Sequence, residues 1–197
     1  MSFLESIENA EIQKLPLLEF SGNIHLVENQ EDQKRAVEYL SKQEALGFDT
    51  ESKPSFKKGV LYPVSLLQLS TEDEAFLFRL KNMKPTLELL SILASPDIYK
   101  IGVAINDDIS DLRKLRDFKP DGFVPLEKYV KQAGIQSNGL RKIAAIVLNG
   151  RISKSAQVSN WEAEELSDRQ KKYAATDAWA GLMIYKEIRS NGFFEHP

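Results

Sequence analysis

Asp49 and Glu51 stand two residues apart in ALGFDTES, Asp108 follows the run KIGVAIND, and Asp177 comes four residues after Tyr173 in KKYAATDAW. The flanking stretches are apolar, so folding carries these acids toward an interior. Like charges gathered there need a cation, and divalent metal ions acting on a phosphate are the obvious use. In a strand, residues two apart share a face, which sets the Asp49 and Glu51 carboxylates side by side while Phe48 and Thr50 point the other way. On a helix, a spacing of four places the Tyr173 phenol and Asp177 on one face, where both can address one bound water. Taken singly each motif is weak. A D-x-E triplet arises by chance about once in a chain this acidic, and Asp107, Asp108 and Asp111 read equally as helix caps or a solvated helix face.

The elements that must position these groups show in periodicity and punctuation. Residues 1–17 read as a polar arm or short amphipathic helix, ahead of a single domain over residues 18–197. SGNIHLVEN reads as a strand, EDQKRAVEYLSKQ as a helix, and EALGFDTES as the strand carrying the first two acids. SLLQLST and EAFLFRL are apolar runs on either side of a polar break, a hairpin signal. KPTLELLSILAS is a helix with Pro85 in its first turn. YKIGVAI is a strand feeding the helix that begins near Asp108, which puts that acid beyond a strand's carboxyl end, where open α/β sheets form ligand sites. FVPL is a candidate further strand. EKYVKQAGI, GLRKIAAIVLNG and LSDRQKKYAATDAWAGLMIYKEIRSNG are helices, the last capped by Ser167 or Asp168 and ended by Gly192. Trp161 reads as packing on that helix, and Trp179 as supporting the site. The order predicts an α/β fold with a mixed sheet flanked by helices.

A chain of 197 residues, 42% hydrophobic and 28% charged, can bury one substantial core. There is no cysteine, which excludes disulfides and thiolate metal sites. His25 and His196 lie near opposite ends, which speaks against a His-rich metal centre or a Ser-His-Asp triad. The net charge of -3 argues against coating nucleic acid by bulk electrostatics, so any contact with it must be local. No run approaches the length of a membrane span, and MSFLESIENAEIQKL lacks the features of a signal peptide; the expected location is the cytoplasm.

GFDTES, IGVAINDDISDLRKL and YAATDAWAGLMIY resemble the three motifs of the DEDD superfamily of 3'-5' exonucleases, tyrosine subtype, and its Werner-type domains in particular. The likeness takes in LEFSGNIHLVEN, KKG, SLLQLS and SNWEAEELSDRQKKYAATDAW, and so spans roughly residues 18–190. It implies a ribonuclease H-like fold with a mixed sheet of five or six strands, and hydrolysis of terminal phosphodiesters with two divalent ions, Mg2+ or Mn2+. Asp49, Glu51, Asp108 and Asp177 match the ligands that hold those ions. By the same likeness, one side of the metal pair activates a water, the other stabilises the leaving 3'-oxygen, Tyr173 orients the water, and Glu51 touches the terminal 3'-hydroxyl. The chain departs from Werner-type sequences at Asp107, where they have glycine. Asp108 keeps the G-V-A-I spacing, with Asp107 and Asp111 as the alternatives. The implied partner is nucleic acid, DNA ahead of RNA, and the product is nucleoside 5'-monophosphate. Ribonuclease D-type RNA trimming is one alternative, and a catalytically silent domain that binds nucleic acid or a partner is another.

Lys57, Lys58, Arg141 and Lys142, together with Arg151 and Lys154, are candidates to grip phosphates, against an equal reading as solvated surface charge. Phe56 and Tyr62 are candidates to stack on terminal bases, although aromatics beside a strand more often fill a core.

Overall fold

In the computed structural model, which describes residues 3–57 and 59–193, the chain opens with a single helical turn, α1 (Asn9–Ile12), and a short strand, β1 (Leu17–Leu18). β2 (Asn23–Val27) and α2 (Gln30–Leu40) follow, then β3 (Ala45–Ser52), β4 (Val64–Ser70) and β5 (Glu74–Arg79). Next come α3 (Leu87–Leu93), β6 (Tyr99–Gly102), α4 (Asn106–Leu115), β7 (Phe123–Pro125), α5 (Glu127–Gln132) and α6 (Leu140–Val147). The chain continues through β8 (Arg151–Ile152) to the long helix α7 (Asp168–Ser190). Lys58 and His196 lie outside the described residues.

The main sheet has six strands in the order β2-β5-β4-β3-β6-β7, and FVPL supplies its far edge. β4 runs antiparallel to its neighbours β3 and β5, whereas β2 pairs parallel with β5, β6 with β3, and β7 with β6. The hairpin between β4 and β5 closes where Thr71 N donates to Glu74 O at 2.8 Å and Glu74 N donates to Thr71 Oγ1 at 3.1 Å. A second, two-stranded ladder joins β1 to β8. Two-residue strands carry no periodic signal, which is why the sequence did not announce it.

Two boundaries differ from expectation, each for a local reason. Pro85 precedes α3 rather than sitting in its first turn, because Thr86 is the cap: its hydroxyl accepts from Leu89 N at 3.2 Å. β6 stops at Gly102 instead of reaching Ile105, because Ala104 takes a left-handed φ of 60° and its N–H turns to the Glu127 carboxylate. That turn delivers Asp108 in the first turn of α4. α7 starts as expected at Ser167, whose hydroxyl and backbone N–H form a reciprocal capping box with Gln170.

The two faces of the sheet carry different cores. Phe48, Leu67, Leu69 and Phe78 pack with Leu40, Leu89, Leu93 and Leu112 of α2, α3 and α4. On the other face, α7 lies across the strands with α5 and α6 beside it, around Ile101, Val130, Ile143 and Leu182. α7 comes close because the contact is made by small residues. A Cβ on Gly47 would stand 2.0 Å from Ala178 O, a distance no real side chain tolerates. The N-terminal segment is fastened to this body: Ile12 is buried, and Gln136 N donates to Glu5 O at 2.8 Å.

Candidate active site

The period of two along β3 splits its residues between the faces. Phe48 and Thr50 look toward α4, while Gly47, Asp49 and Glu51 look toward α7. The tight Gly47 to Ala178 approach therefore brings the neighbour of Ala178, Asp177, down onto Asp49 and Glu51. Carboxylate oxygens of Asp49, Glu51 and Asp177 lie within 4.8 Å of one another. Asp108 stands outside that group and comes from the opposite face, where its Oδ1 accepts the Thr50 hydroxyl. The acidic set thus straddles the end of β3, with Asp177 on one side of the sheet and Asp108 on the other.

Crowding and burial hold protons on these acids. Glu51 is pushed up to about 10, first by burial and then by Asp49, Asp177 and Asp108. Asp49 is raised well above the carboxylate range by burial and by Asp177 and Asp108, against a 2.9 Å hydrogen bond that its Oδ1 accepts from Thr50 N. Burial lifts Asp177 to about 7, opposed by the Tyr173 phenol and by the positive charge of Arg141. Asp108 is raised by burial and partly restrained by Thr50. Asp177 Oδ1 is buried without a hydrogen-bond partner. So is the side chain of Gln68, which lies directly across the ladder from Asp49.

Tyr173 is on α7, one turn before Asp177. Burial, then the nearby carboxylates, push its phenol far above the ordinary tyrosine value, so it remains a neutral hydrogen-bond donor. Its ring packs at 6.0 Å from that of Trp161, which is fully buried. Trp161 packs on α7 as its sequence context suggested. Trp179 does not adjoin the acids: two residues past Asp177 it is turned roughly 200° around the helix, and it packs on Phe20 with ring centroids 6.3 Å apart.

Asp49, Glu51, Tyr173 and Asp177 open into a cleft of about 310 Å³ that Gly139 and Gln157 also line. A neighbouring hollow of about 380 Å³ shares Tyr173 and Asp177 and is also lined by the basic residues Arg141, Lys142 and Lys154. Arg141 is pinned there because its Nε donates to Ile152 O at 3.0 Å. Arg151 does not line either space; it lies in β8 with its Nε buried and unpartnered. Lys57 is in the exposed β3–β4 loop, away from that hollow, and Lys58 lies outside the described residues. Phe56, in the same loop, is 88% exposed and so is no core residue, while Tyr62 is half-buried with the Lys53 ammonium 5.0 Å from its ring centre. Sequence reasoning overlooked Gln157, Asn138 and Ser153 in these linings. Only Gly139 left a signal, as a glycine directly before an apolar helical run, and it takes a φ of 82°.

The family model for 3'-5' exonucleases matches residues 24–192. The chain is 33% identical over 194 residues to the mouse bifunctional 3'-5' exonuclease/ATP-dependent helicase WRN, covering 90% of this chain and 13% of that protein. It is 30% identical over 201 residues to the putative 3'-5' exonuclease R431 of Acanthamoeba polyphaga mimivirus, covering 90% of this chain and 49% of that one. The chain therefore spans less than half the length of these relatives. Among solved structures, the Aedes aegypti Nibbler EXO domain superposes with a TM-score of 0.78 at 24% identity, covering 88% of this chain and 91% of that one. Escherichia coli RNase D superposes with a TM-score of 0.76 at 21% identity, covering 87% of this chain and 47% of that one. The fold is ribonuclease H-like. With a family match that runs from β2 to the end of α7, the chain belongs to the 3'-5' exonucleases of the DEDD superfamily.

Proposed function

We propose that the chain is a metal-dependent enzyme that hydrolyses the terminal phosphodiester at the 3' end of DNA and releases nucleoside 5'-monophosphates. The convergence of Asp49, Glu51 and Asp177 to within 4.8 Å beside Tyr173 carries this reading. The donor set fits hard cations, since it consists of carboxylate oxygens, and Mg2+ or Mn2+ are the ions such oxygens prefer. The raised proton affinities point the same way. Each acid resists ionising first because it is buried, Asp49 and Glu51 also because their neighbours are acids, and a divalent ion offsets that penalty. In this reading Asp49, Glu51 and Asp177 hold the ions with Asp108, which Thr50 aims from the other face. Two bound ions would lower the pKa of water and neutralise charge on the phosphate.

The remaining work falls to the chain's own groups. Tyr173, kept neutral, donates or accepts one hydrogen bond to orient the attacking water and takes no proton from it. Glu51 faces the terminal 3'-hydroxyl and confines attack to chain ends. Arg141, Lys142 and Lys154 line the path of the strand leading into the cleft and bind its phosphates. Because the protein's net charge is -3, these local cations carry the affinity.

DNA is favoured because the chain is more similar to a helicase-linked exonuclease, at 33% identity, than to RNase D, at 21%. RNA is the second reading, since the structural neighbours include an exoribonuclease and Trypanosoma brucei RNase D in complex with RNA U12. Matched 5'-labelled DNA and RNA, single-stranded and 3'-recessed, should be digested side by side with Mg2+ and Mn2+. Stepwise shortening of DNA that stops with chelator and with Asp49→Asn is the expected result. Equal or faster loss of RNA would move the assignment to RNA, and full activity of Asp49→Asn would refute the site.

A further inference from the structure

Part of the basic hollow is lined by Asn138 and Gly139, at the end of the α5–α6 loop, and part by Ser153 and Lys154, which follow β8. The segment ahead of β2 is fastened to both places. At one end Gln136 N donates to Glu5 O at 2.8 Å, the Gln136 side-chain amide donates to the Glu5 carboxylate, and the Phe3 ring packs 6.0 Å from that of Phe193. At the other end β1 pairs in parallel with β8, and Arg151 N donates to Pro16 O at 2.8 Å. Between these anchors α1 turns Ile12 into the protein, leaving it 1% exposed, and sets Asn9 in the lining of the hollow. Residues 3–18 thus run as a strap from one wall to the other. The strap ends before residue 24, where the family match begins.

Charge along the strap is one-sided. From Phe3 to Gln13 the ionic side chains are Glu5, Glu8 and Glu11, with no cation among them. Glu11 pairs with Lys14 at 2.7 Å, whereas the exposed Glu5 and Glu8 have no cationic partner among the described residues. The hollow itself is lined by Arg141, Lys142 and Lys154. Packing accounts for Phe3 and Ile12, but not for an amide and two unpaired acids beside a cationic hollow. One polyanionic strand inside the hollow meets cations, and a second strand outside it meets carboxylates. Within a Debye length of about 8 Å that repulsion survives physiological salt. Size agrees, since about 380 Å³ is at the small end of ligand sites and leaves no room for a duplex.

We propose that residues 3–18 select the strand: Asn9 hydrogen-bonds the backbone of the strand that enters the basic hollow, and Glu5 and Glu8 turn away a paired second strand. The proposal rests on the exonuclease reading of the cleft and names the form of substrate it takes best, an unpaired 3' end. A contact to phosphate or sugar carries no sequence information, so the selection is for strandedness and not for base.

Because Ile12 is buried, the test changes single side chains of the full chain and leaves the strap in place. Binding of fluorescent single-stranded and blunt duplex oligodeoxynucleotides is measured by anisotropy on an Asp49→Asn background, and hydrolysis is measured without that change. Asn9→Ala should raise Kd and KM for the single strand roughly tenfold, with kcat held, and Asn9→Ser should recover part of the loss. Glu5→Gln with Glu8→Gln, which keeps an acceptor for Gln136, should tighten duplex binding roughly threefold or more at low salt and change single-strand binding less. That gain should shrink as salt is raised. Glu88→Gln with Asp97→Asn, on and after α3, removes the same charge elsewhere and should leave the duplex to single-strand ratio unchanged. Unchanged single-strand binding in Asn9→Ala overturns the strap's contact, and a ratio in the Glu5 and Glu8 pair no different from the control overturns its selectivity. If the wild type cuts neither DNA, the exonuclease reading fails, and the binding comparison still decides the strap separately.

Discussion

The Thr50 hydroxyl donates to Asp108 Oδ1, and so joins β3 to the first turn of α4 through the residue that lies between Asp49 and Glu51. Two adjacent acids and the group that aims a third therefore share one three-residue stretch, with alternate side chains serving opposite faces of the sheet. Thr50→Val removes the hydroxyl and keeps the shape. Metal half-saturation or kcat should worsen by about 10–100-fold, and Thr50→Ser should recover most of it. A Mg2+ titration of oligonucleotide hydrolysis measures both.

The proton affinities of the acids predict an inverted pH dependence of stability in the metal-free protein. Folded-state values for Asp49, Glu51 and Asp177 lie above their ordinary ones, so the folded protein holds protons that the unfolded chain has released. The contribution is fully present below the ordinary carboxylate range and is lost as pH rises, up to about 10 for Glu51. In EDTA, Tm should fall as pH rises from about 5 to about 9. Mg2+ binds the ionised form, so the Tm gain from added Mg2+ should be larger at the alkaline end. Asp49→Asn should raise the metal-free Tm at alkaline pH while abolishing activity.

Gly47→Ala tests whether the sheet-to-helix approach sets the site. The new methyl would meet Ala178 O at 2.0 Å and Ser70 Oγ at 2.5 Å, and backbone cannot yield as a flexible side chain can. A loss of about 1–3 kcal/mol or more is expected from overpacking. Activity should fall beyond what the unfolded fraction explains, because Asp177 moves away from Asp49. Denaturant midpoints read the first effect, and activity well below Tm reads the second.

Tyr173→Phe removes a hydrogen bond to a charged or developing-charge partner, worth about 1.5–3 kcal/mol, so kcat should drop by roughly 10–150-fold. Its phenol stays protonated across the working range. The pH-rate profile of the variant should therefore keep the wild-type shape at lower height. A lost ionisation on the alkaline limb would show that the phenol titrates during turnover.

Local spacing made much of the site legible. Asp49 and Glu51 had to share a face in any strand, Tyr173 and Asp177 had to share one on any helix, and Ser167 or Asp168 marked where that helix begins. The same is true of the hairpin, whose polar break separates two apolar runs, and of FVPL at the edge. Phe56 stood open between a stacking role and a core place because an aromatic near a strand has no local mark of exposure; the structure removes the core place by leaving it 88% exposed. Trp179 misled because two residues along a helix reverse direction, so nearness to Asp177 in the chain is not nearness in space.

By itself, then, the sequence determined which groups could act and which neighbours share a face, because those follow from fixed backbone periods. Only the tertiary structure decided that Asp177 meets Asp49 and Glu51 while Asp108 is held on the far side by Thr50. That decision rests on contacts between elements far apart in the chain. The absence of a side chain at Gly47 sets the depth of α7, and the left-handed turn at Ala104 sets the entry of α4.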